Sequence, residues 1–129
     1  MMKFNIIPNE AVGDVLFGMT REEVRGILTG FKAEFKKSIY SENTTDDFGC
    51  CHVFYDEHNK CNAIEFFEKC ELIYNDVNLF ELSPDELKSI FPDMTEEYGS
   101  YCSLKSSIGA IFEEDVMDSI LIGCKDYYC

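Results

Sequence analysis

The chain has 129 residues, 46% of them apolar, with 11 Phe, 7 Tyr and a formal net charge of −14. That length suits one domain or two very small fused half-domains, and the abundance of large apolar side chains excludes a disordered chain. Strong acidity disfavours nucleic acid and anionic lipid as partners and favours a basic protein.

No run approaches the ~18 apolar residues of a membrane span. The N-terminal stretch turns polar after Ile7 and does not resemble a secretory leader, so a cytoplasmic location is expected. Seven cysteines (50, 51, 61, 70, 102, 124 and 129) form an odd set. Without an export signal they read as free thiols that pack as small hydrophobes. The acidity is uneven: residues 1–67 hold 7 Lys/Arg against 11 Asp/Glu, residues 68–129 hold 4 against 14.

In chain order, Phe4-Asn5-Ile6-Ile7 reads as a strand ahead of an Asn9-Glu10 turn. A helix starts at Thr20, whose hydroxyl and the Glu23 carboxylate form a capping box, with Met19 and Val24 as a hydrophobic staple. Val24, Ile27 and Leu28 form its apolar stripe, and Gly30 ends it after about ten residues. Residues 31–35 alternate as a strand, with a continuing helix as the competing reading, and residues 41–47 read as a polar loop. Residues 52–57 and 62–67 form a hairpin.

Leu72-Ile73-Tyr74 is the next strand, before Asn75-Asp76. Ser83 and Glu86 then repeat the capping box, Leu82 and Leu87 the staple, and Pro84 takes the first helical position, where its missing N–H is harmless. Pro92 stops this second helix, residues 93–99 form an acidic loop, and residues 109–114 and 118–122 make a second hairpin.

The order of elements is therefore stated twice. Leu16-Phe17-Gly18-Met19-Thr20-Arg21-Glu22-Glu23-Val24-Arg25-Gly26-Ile27-Leu28 aligns, 63 positions on, with Leu79-Phe80-Glu81-Leu82-Ser83-Pro84-Asp85-Glu86-Leu87-Lys88-Ser89-Ile90-Phe91. The hairpins align at offsets of 57 and 56. The expected fold is α+β: two tandem strand–helix–hairpin repeats, 1–67 and 68–129, sharing one compact domain whose antiparallel sheets are covered by short helices.

Chemistry-bearing residues are sparse. Cys50, Cys51, His52, His58 and Cys61 are the one cluster of metal-type ligands, but adjacent strand residues face opposite sides and the spacing lacks paired ligands, so no metal site or cofactor is assigned. The same geometry argues against a Cys–His nucleophile, and no catalytic residues are assigned. Glu65, between Ile64 and Phe66, is expected to face outward. Asp47-Phe48-Gly49 matches the magnesium-binding triplet of protein kinases by chance, because the other kinase motifs are missing. Phosphate-binding and nucleophile-elbow motifs are absent.

The acidic turns are the strongest binding signal. Glu96 and Glu97 follow the second helix, and Glu113, Glu114, Asp115 and Asp118 lie at the second hairpin turn. Tyr98, Tyr101, Tyr127 and Tyr128 are near them in sequence. Carboxylates with aromatic anchors suit a surface that captures a basic protein quickly.

Phe17-Gly18-Met19-Thr20-Arg21-Glu22-Glu23-Val24 resembles the helix start of small outer-membrane assembly lipoproteins of the BamE/SmpA type, and also tandem β-lactamase-inhibitor-like domains. The lipoprotein cysteine is missing, so membrane assembly is not implied. As a small, acidic α+β chain without catalytic motifs, it resembles immunity proteins of bacterial polymorphic and contact-dependent toxin systems. That resemblance implies neutralisation of a cognate toxin domain, often a basic nuclease. The alternatives are a small Cys/His metal-binding or hydrolytic domain and a structural module that self-associates through sheet edges.

Overall fold

The computed structural model describes residues 2–41, 43–68 and 70–128; Cys129 lies outside them. Strands β1 (Lys3–Ile7), β2 (Ala11–Val12) and β3 (Val15–Leu16) lead into helix α1 (Arg21–Ile27). Strands β4 (Ala33–Phe35), β5 (Thr45–Asp47), β6 (Cys51–Tyr55) and β7 (Cys61–Phe66) follow. The chain then forms β8 (Glu71–Tyr74), β9 (Val77–Asn78), a 3-10 turn (Leu79–Glu81) and helix α2 (Pro84–Ile90). It ends with β10 (Thr95–Glu97), β11 (Ser100–Ser103), β12 (Ile108–Glu113) and β13 (Val116–Gly123). The fold is α+β and mostly strand, with two sheets and two helices among the described residues.

Both helices begin as their capping residues dictate. Thr20 accepts from the Glu23 amide and Glu23 reaches back to the Thr20 amide; Ser83 and Glu86 do the same. Each helix spans seven residues, shorter than expected. α1 stops at Ile27, before Gly30, because Leu28 already turns extended. Val24 and Leu87 are fully buried beneath the two helices.

The larger sheet has the order β10-β11-β12-β13-β7-β6-β5-β4, with every neighbouring pair antiparallel. The four strands after α2 form one half and the four after α1 the other. In the hairpins, Cys51 lies opposite Phe66 and Val53 opposite Ile64, while Ile108 lies opposite Ile122 and Ala110 opposite Ile120. Both ladders shift register at one point, between Phe54 and Tyr55 and between Ile111 and Phe112. Each bulge leaves one residue without an opposite partner in the hairpin, Asn62 in the first and Asp118 in the second. At the central seam Phe66 faces Ile120 and Ile64 faces Ile122.

The smaller sheet, β3-β2-β1-β8-β9, corrects the expectation of antiparallel pairing throughout, because β1 and β8 run parallel. Two strands that each precede a helix are brought side by side, and no hairpin forces them to oppose. One apolar cluster joins this sheet, both helices and the inner face of the large sheet, running from Phe4 and Val24 through Phe66 and Leu87 to Ile122. Phe4 packs against Phe66 with ring centroids 5.1 Å apart.

Two loop expectations are corrected. Residues 45–47 of the supposed polar loop form β5, and Asp46 is fully buried there, because it gains ionic partners that composition does not reveal. Residues 95–97 of the supposed acidic loop form the exposed edge strand β10. A charged edge that solvates its own side chains discourages further strand pairing. Residues 33–35 are a strand, so the helical alternative for 31–35 falls. No helix among the described residues is long and apolar enough to cross a membrane.

Candidate functional site

The acidic residues singled out from sequence gather at one end of the large sheet. β10 and β11 meet in a two-residue turn, Tyr98-Gly99, and β12 and β13 meet in another, Glu114-Asp115. All four turn residues have positive φ, as tight hairpin turns with right-handed twist require. The Phe112 amide donates to the Gly99 carbonyl at 2.9 Å, which holds the two turns side by side.

Glu96, Glu97, Glu113, Glu114, Asp115 and Asp118 are all exposed. Tyr98 is 96% exposed beside them, and Val116 and Ile111 remain 69% and 46% exposed. This end therefore combines carboxylates with uncovered aromatic and aliphatic surface.

Tyr101 lies at its centre. Its ring packs edge-on against Phe112 at 5.3 Å. Burial, followed by the charges of Glu96, Asp115 and Asp85, pushes its hydroxyl above the usual tyrosine range. Three carboxylates from β10, the hairpin turn and the start of α2 thus surround one ring. Asp85 was not among the expected residues, since it reads from sequence as an ordinary acidic first-turn residue. Tyr127 and Tyr128 belong elsewhere: they lie over Gly123 and Gly109 on the outer face of the sheet.

Next to the acidic end is an open groove of about 670 Å³ between β13 and the start of α2. Phe67, Phe80, Leu82, Val116 and Met117 supply its apolar wall. Glu81, Glu86, Asp115 and Asp118 supply its carboxylates. Backbone and side-chain bonds to Ser83 hold Glu86 below the ordinary carboxylate range, so it stays ionised.

A second polar cluster sits under α1 and was missed from sequence. Asp46 accepts from Arg21 Nη1 at 2.8 Å, Arg25 Nε at 2.8 Å, Arg25 Nη2 at 2.6 Å and the Tyr55 hydroxyl at 2.9 Å. The Arg21 guanidinium also lies 4.0 Å from the Tyr55 ring centre and donates to Asn59 and Asn43. Burial works to raise the Asp46 pKa, but the hydrogen bonds from Arg25 and Tyr55 and the two guanidinium charges hold it below the usual range. Hydrogen bonding to Asp46 raises the Arg25 pKa, against burial. Burial, then the Asp46 hydrogen bond, raises the Tyr55 hydroxyl. Every partner is internal, so the cluster acts as a structural clamp. The available signal was the i, i+4 pair Arg21/Arg25 on a helix face that otherwise points to the core.

The cysteine–histidine residues are not brought together as a ligand set. Cys51 and Cys61 are buried in β6 and β7, and burial pushes Cys61 up to about 12. His52 packs between Phe35 and Phe67, and burial lowers its pKa against the opposing charges of Asp47 and Glu65. His58 is an exposed turn residue 3.4 Å from Glu57. Among the described residues no three His, Cys, Asp or Glu side chains are grouped to hold a metal ion. Cys50 is the one activated thiol: the Cys51 thiol donates to it and lowers its pKa to about 7, while Cys51 rises in return. Glu65 points outward but is not simply solvated, since Lys37 lies 3.7 Å away.

No family model matches this chain, and no curated protein or solved structure matches it either.

Proposed function

We propose that this chain is a non-enzymatic binding protein of the immunity type, which neutralises a basic, nuclease-type toxin domain of bacterial origin through the acidic end of its larger sheet. The observation that carries this is the convergence of Glu96, Glu97, Glu113, Glu114 and Asp115 around uncovered Tyr98, Ile111 and Val116. Carboxylates at the rim accelerate encounter with a cationic partner, and exposed aromatic and aliphatic side chains provide the area that holds it.

The same proposal takes the chain as two diverged halves, 1–67 and 68–129, folded into one domain. Identical hairpin registers and identically placed bulges support it, since a shift of 57 for β6 and 56 for β7 reproduces the pairing of β12 with β13. The central seam supports it too: the shift of 56 carries the pair Phe66–Ile120 onto Ile122–Ile64, as a two-fold relation between the halves requires. On this view the first half keeps an internal salt-bridge clamp where the second has Tyr101 and Phe112, and binding has moved to the second half.

The test is co-expression with the product of the adjacent open reading frame, followed by growth rescue and binding kinetics. The expected result is a stable complex whose association rate falls at least tenfold between 50 and 300 mM salt. Reversing the charges of Glu113, Glu114 and Asp115 should slow association further. A complex that forms equally fast at both salt concentrations and ignores the charge reversal refutes the acidic-end mechanism.

A further inference from the structure

The two halves differ most sharply at the entrance to their helices. In the first half the segment before α1 is zipped onto the start of β7. The Gly18 amide donates to the Cys61 carbonyl at 2.8 Å, the Cys61 amide donates to the Met19 carbonyl at 2.8 Å, and Thr20 bridges to Lys60. Arg21 adds a side-chain tie, from Nε to Asn59 Oδ1 at 3.1 Å.

In the second half the corresponding positions are Glu81, Leu82 and Ser83 facing Val116 and Met117. Among the described residues no backbone bond joins them, and the groove of about 670 Å³ opens there instead. The side-chain tie is gone as well, with Pro84 at the place of Arg21 and Asp115 at the place of Asn59.

The cause lies in one residue. Gly18 makes its bond with φ of +97°, a conformation that L side chains rarely adopt. Glu81 stands at that position, and its segment coils into the 3-10 turn rather than reaching the strand. The change opened an apolar cleft and ringed it with four carboxylates.

We infer that this groove is a receptor for an arginine side chain presented by the basic partner, a pocket that presupposes the partner proposed above. The chemistry fits at both ends of that side chain. An arginine stem lies along apolar surface while its head seeks charge, and here Phe80, Leu82, Val116 and Met117 face Glu81, Glu86, Asp115 and Asp118 across one opening. The first half closes the same junction with an arginine of its own, Arg21, against the hairpin turn. A partner's arginine would restore to the second half the cationic tie that it lost. Planar guanidinium recognition by carboxylates also favours arginine over lysine.

The test uses N-acetyl-arginine amide as probe, followed by the methyl and amide resonances of residues 80–86 and 115–118, with N-acetyl-norleucine amide as the apolar control. Arginine amide should bind at these residues at least tenfold more tightly than the norleucine compound. Glu81→Gly should let the segment zip onto β13, protect the Met117 amide from hydrogen exchange and weaken the probe at least tenfold. Glu81→Gln, which removes the charge but keeps the backbone restriction, should weaken it only about threefold and leave Met117 exchange unchanged.

Equal binding of the norleucine compound, shifts confined to Glu113 and Glu114, or identical behaviour of the two Glu81 variants would each overturn the inference. So would concentration-dependent self-association that shields the same residues, because the occupant would then be a second copy of this chain. The two proposals fail separately. If the partner binds Glu81→Gly with undiminished affinity yet responds to charge reversal at Glu113, Glu114 and Asp115, only the arginine pocket falls. If neither change matters, the basic-partner proposal falls with it.

Discussion

Asp46 is the residue whose loss the fold should feel most clearly. It has no exposed surface, and its two oxygens receive three guanidinium N–H groups and one hydroxyl. Asp46→Ala leaves Arg21 charged, with a side chain only 8% exposed and only neutral oxygens of Asn43, Thr44 and Asn59 to accept from it. Removing one partner of a buried ion pair costs about 3–5 kcal/mol, a large share of the roughly 5–15 kcal/mol that stabilises a typical domain. At this chain length that corresponds to a fall in Tm of roughly 10–20 °C.

Urea unfolding at pH 7 measures the effect: the midpoint should drop with an unchanged m-value. Glu34→Gln serves as control, since that carboxylate is exposed and its pair with Arg25 is half solvated, so the midpoint should barely move. Acid should erase the difference. Because the Asp46 pKa is depressed in the folded state, its stabilisation is complete above the ordinary aspartate range and is lost as pH falls from about 5 through the folded value. The gap between wild type and Asp46→Asn should therefore narrow below about pH 4. A loss of less than about 1 kcal/mol for Asp46→Ala, or a gap independent of pH, would refute the clamp.

Three further outcomes follow from the same structure. In a Cys129→Ser background, iodoacetamide at pH 7.5 should label Cys50 first, because its pKa of about 7 supplies thiolate while burial protects Cys51 and Cys70; a fast phase that survives Cys50→Ser would contradict this. Gly123→Ala should destabilise by about 1–3 kcal/mol, since a Cβ there falls 2.8 Å from the Tyr127 Cβ. Gly109→Ala should do much less, because it meets only the movable hydroxyl end of Tyr128. Thr20→Ala and Ser83→Ala should each cost about 1 kcal/mol in thermal unfolding, and a difference between them of more than about 1 kcal/mol would show that the two capping boxes are not equivalent.

Local rules carried the reading of the chain where one short segment held the whole signal. The capping boxes at Thr20 and Ser83, the hairpins at 52–67 and 109–122 and the opening strand were legible because caps, turns and alternation act over a few residues. Strands β5 and β10 were not. Thr45-Asp46-Asp47 and Thr95-Glu96-Glu97 carry no alternation and become strands only because β6 and β11 lie beside them. The candidate site divides in the same way. Glu96, Glu97, Glu113, Glu114 and Asp115 were visible as charge, but their meeting around Tyr101 depends on two hairpin turns held together by one backbone bond.

The groove shows the division most plainly. Glu81 in place of Gly18 is written in the alignment of the two halves, and on its own it reads as a harmless surface difference. Backbone stereochemistry gives it consequence, because a side chain there disfavours the positive φ with which Gly18 reaches Cys61.

The amino-acid sequence alone determined where the helices start, which faces are apolar and how negative the second half is, since each depends on neighbours within a turn or two. Only the tertiary structure decided that Asp46 is buried, that β1 and β8 run parallel and that a groove opens beside Met117. Those outcomes depend on partners 20 to 70 residues away, and pairing at that range is selected by the packing of the whole core rather than by any local preference.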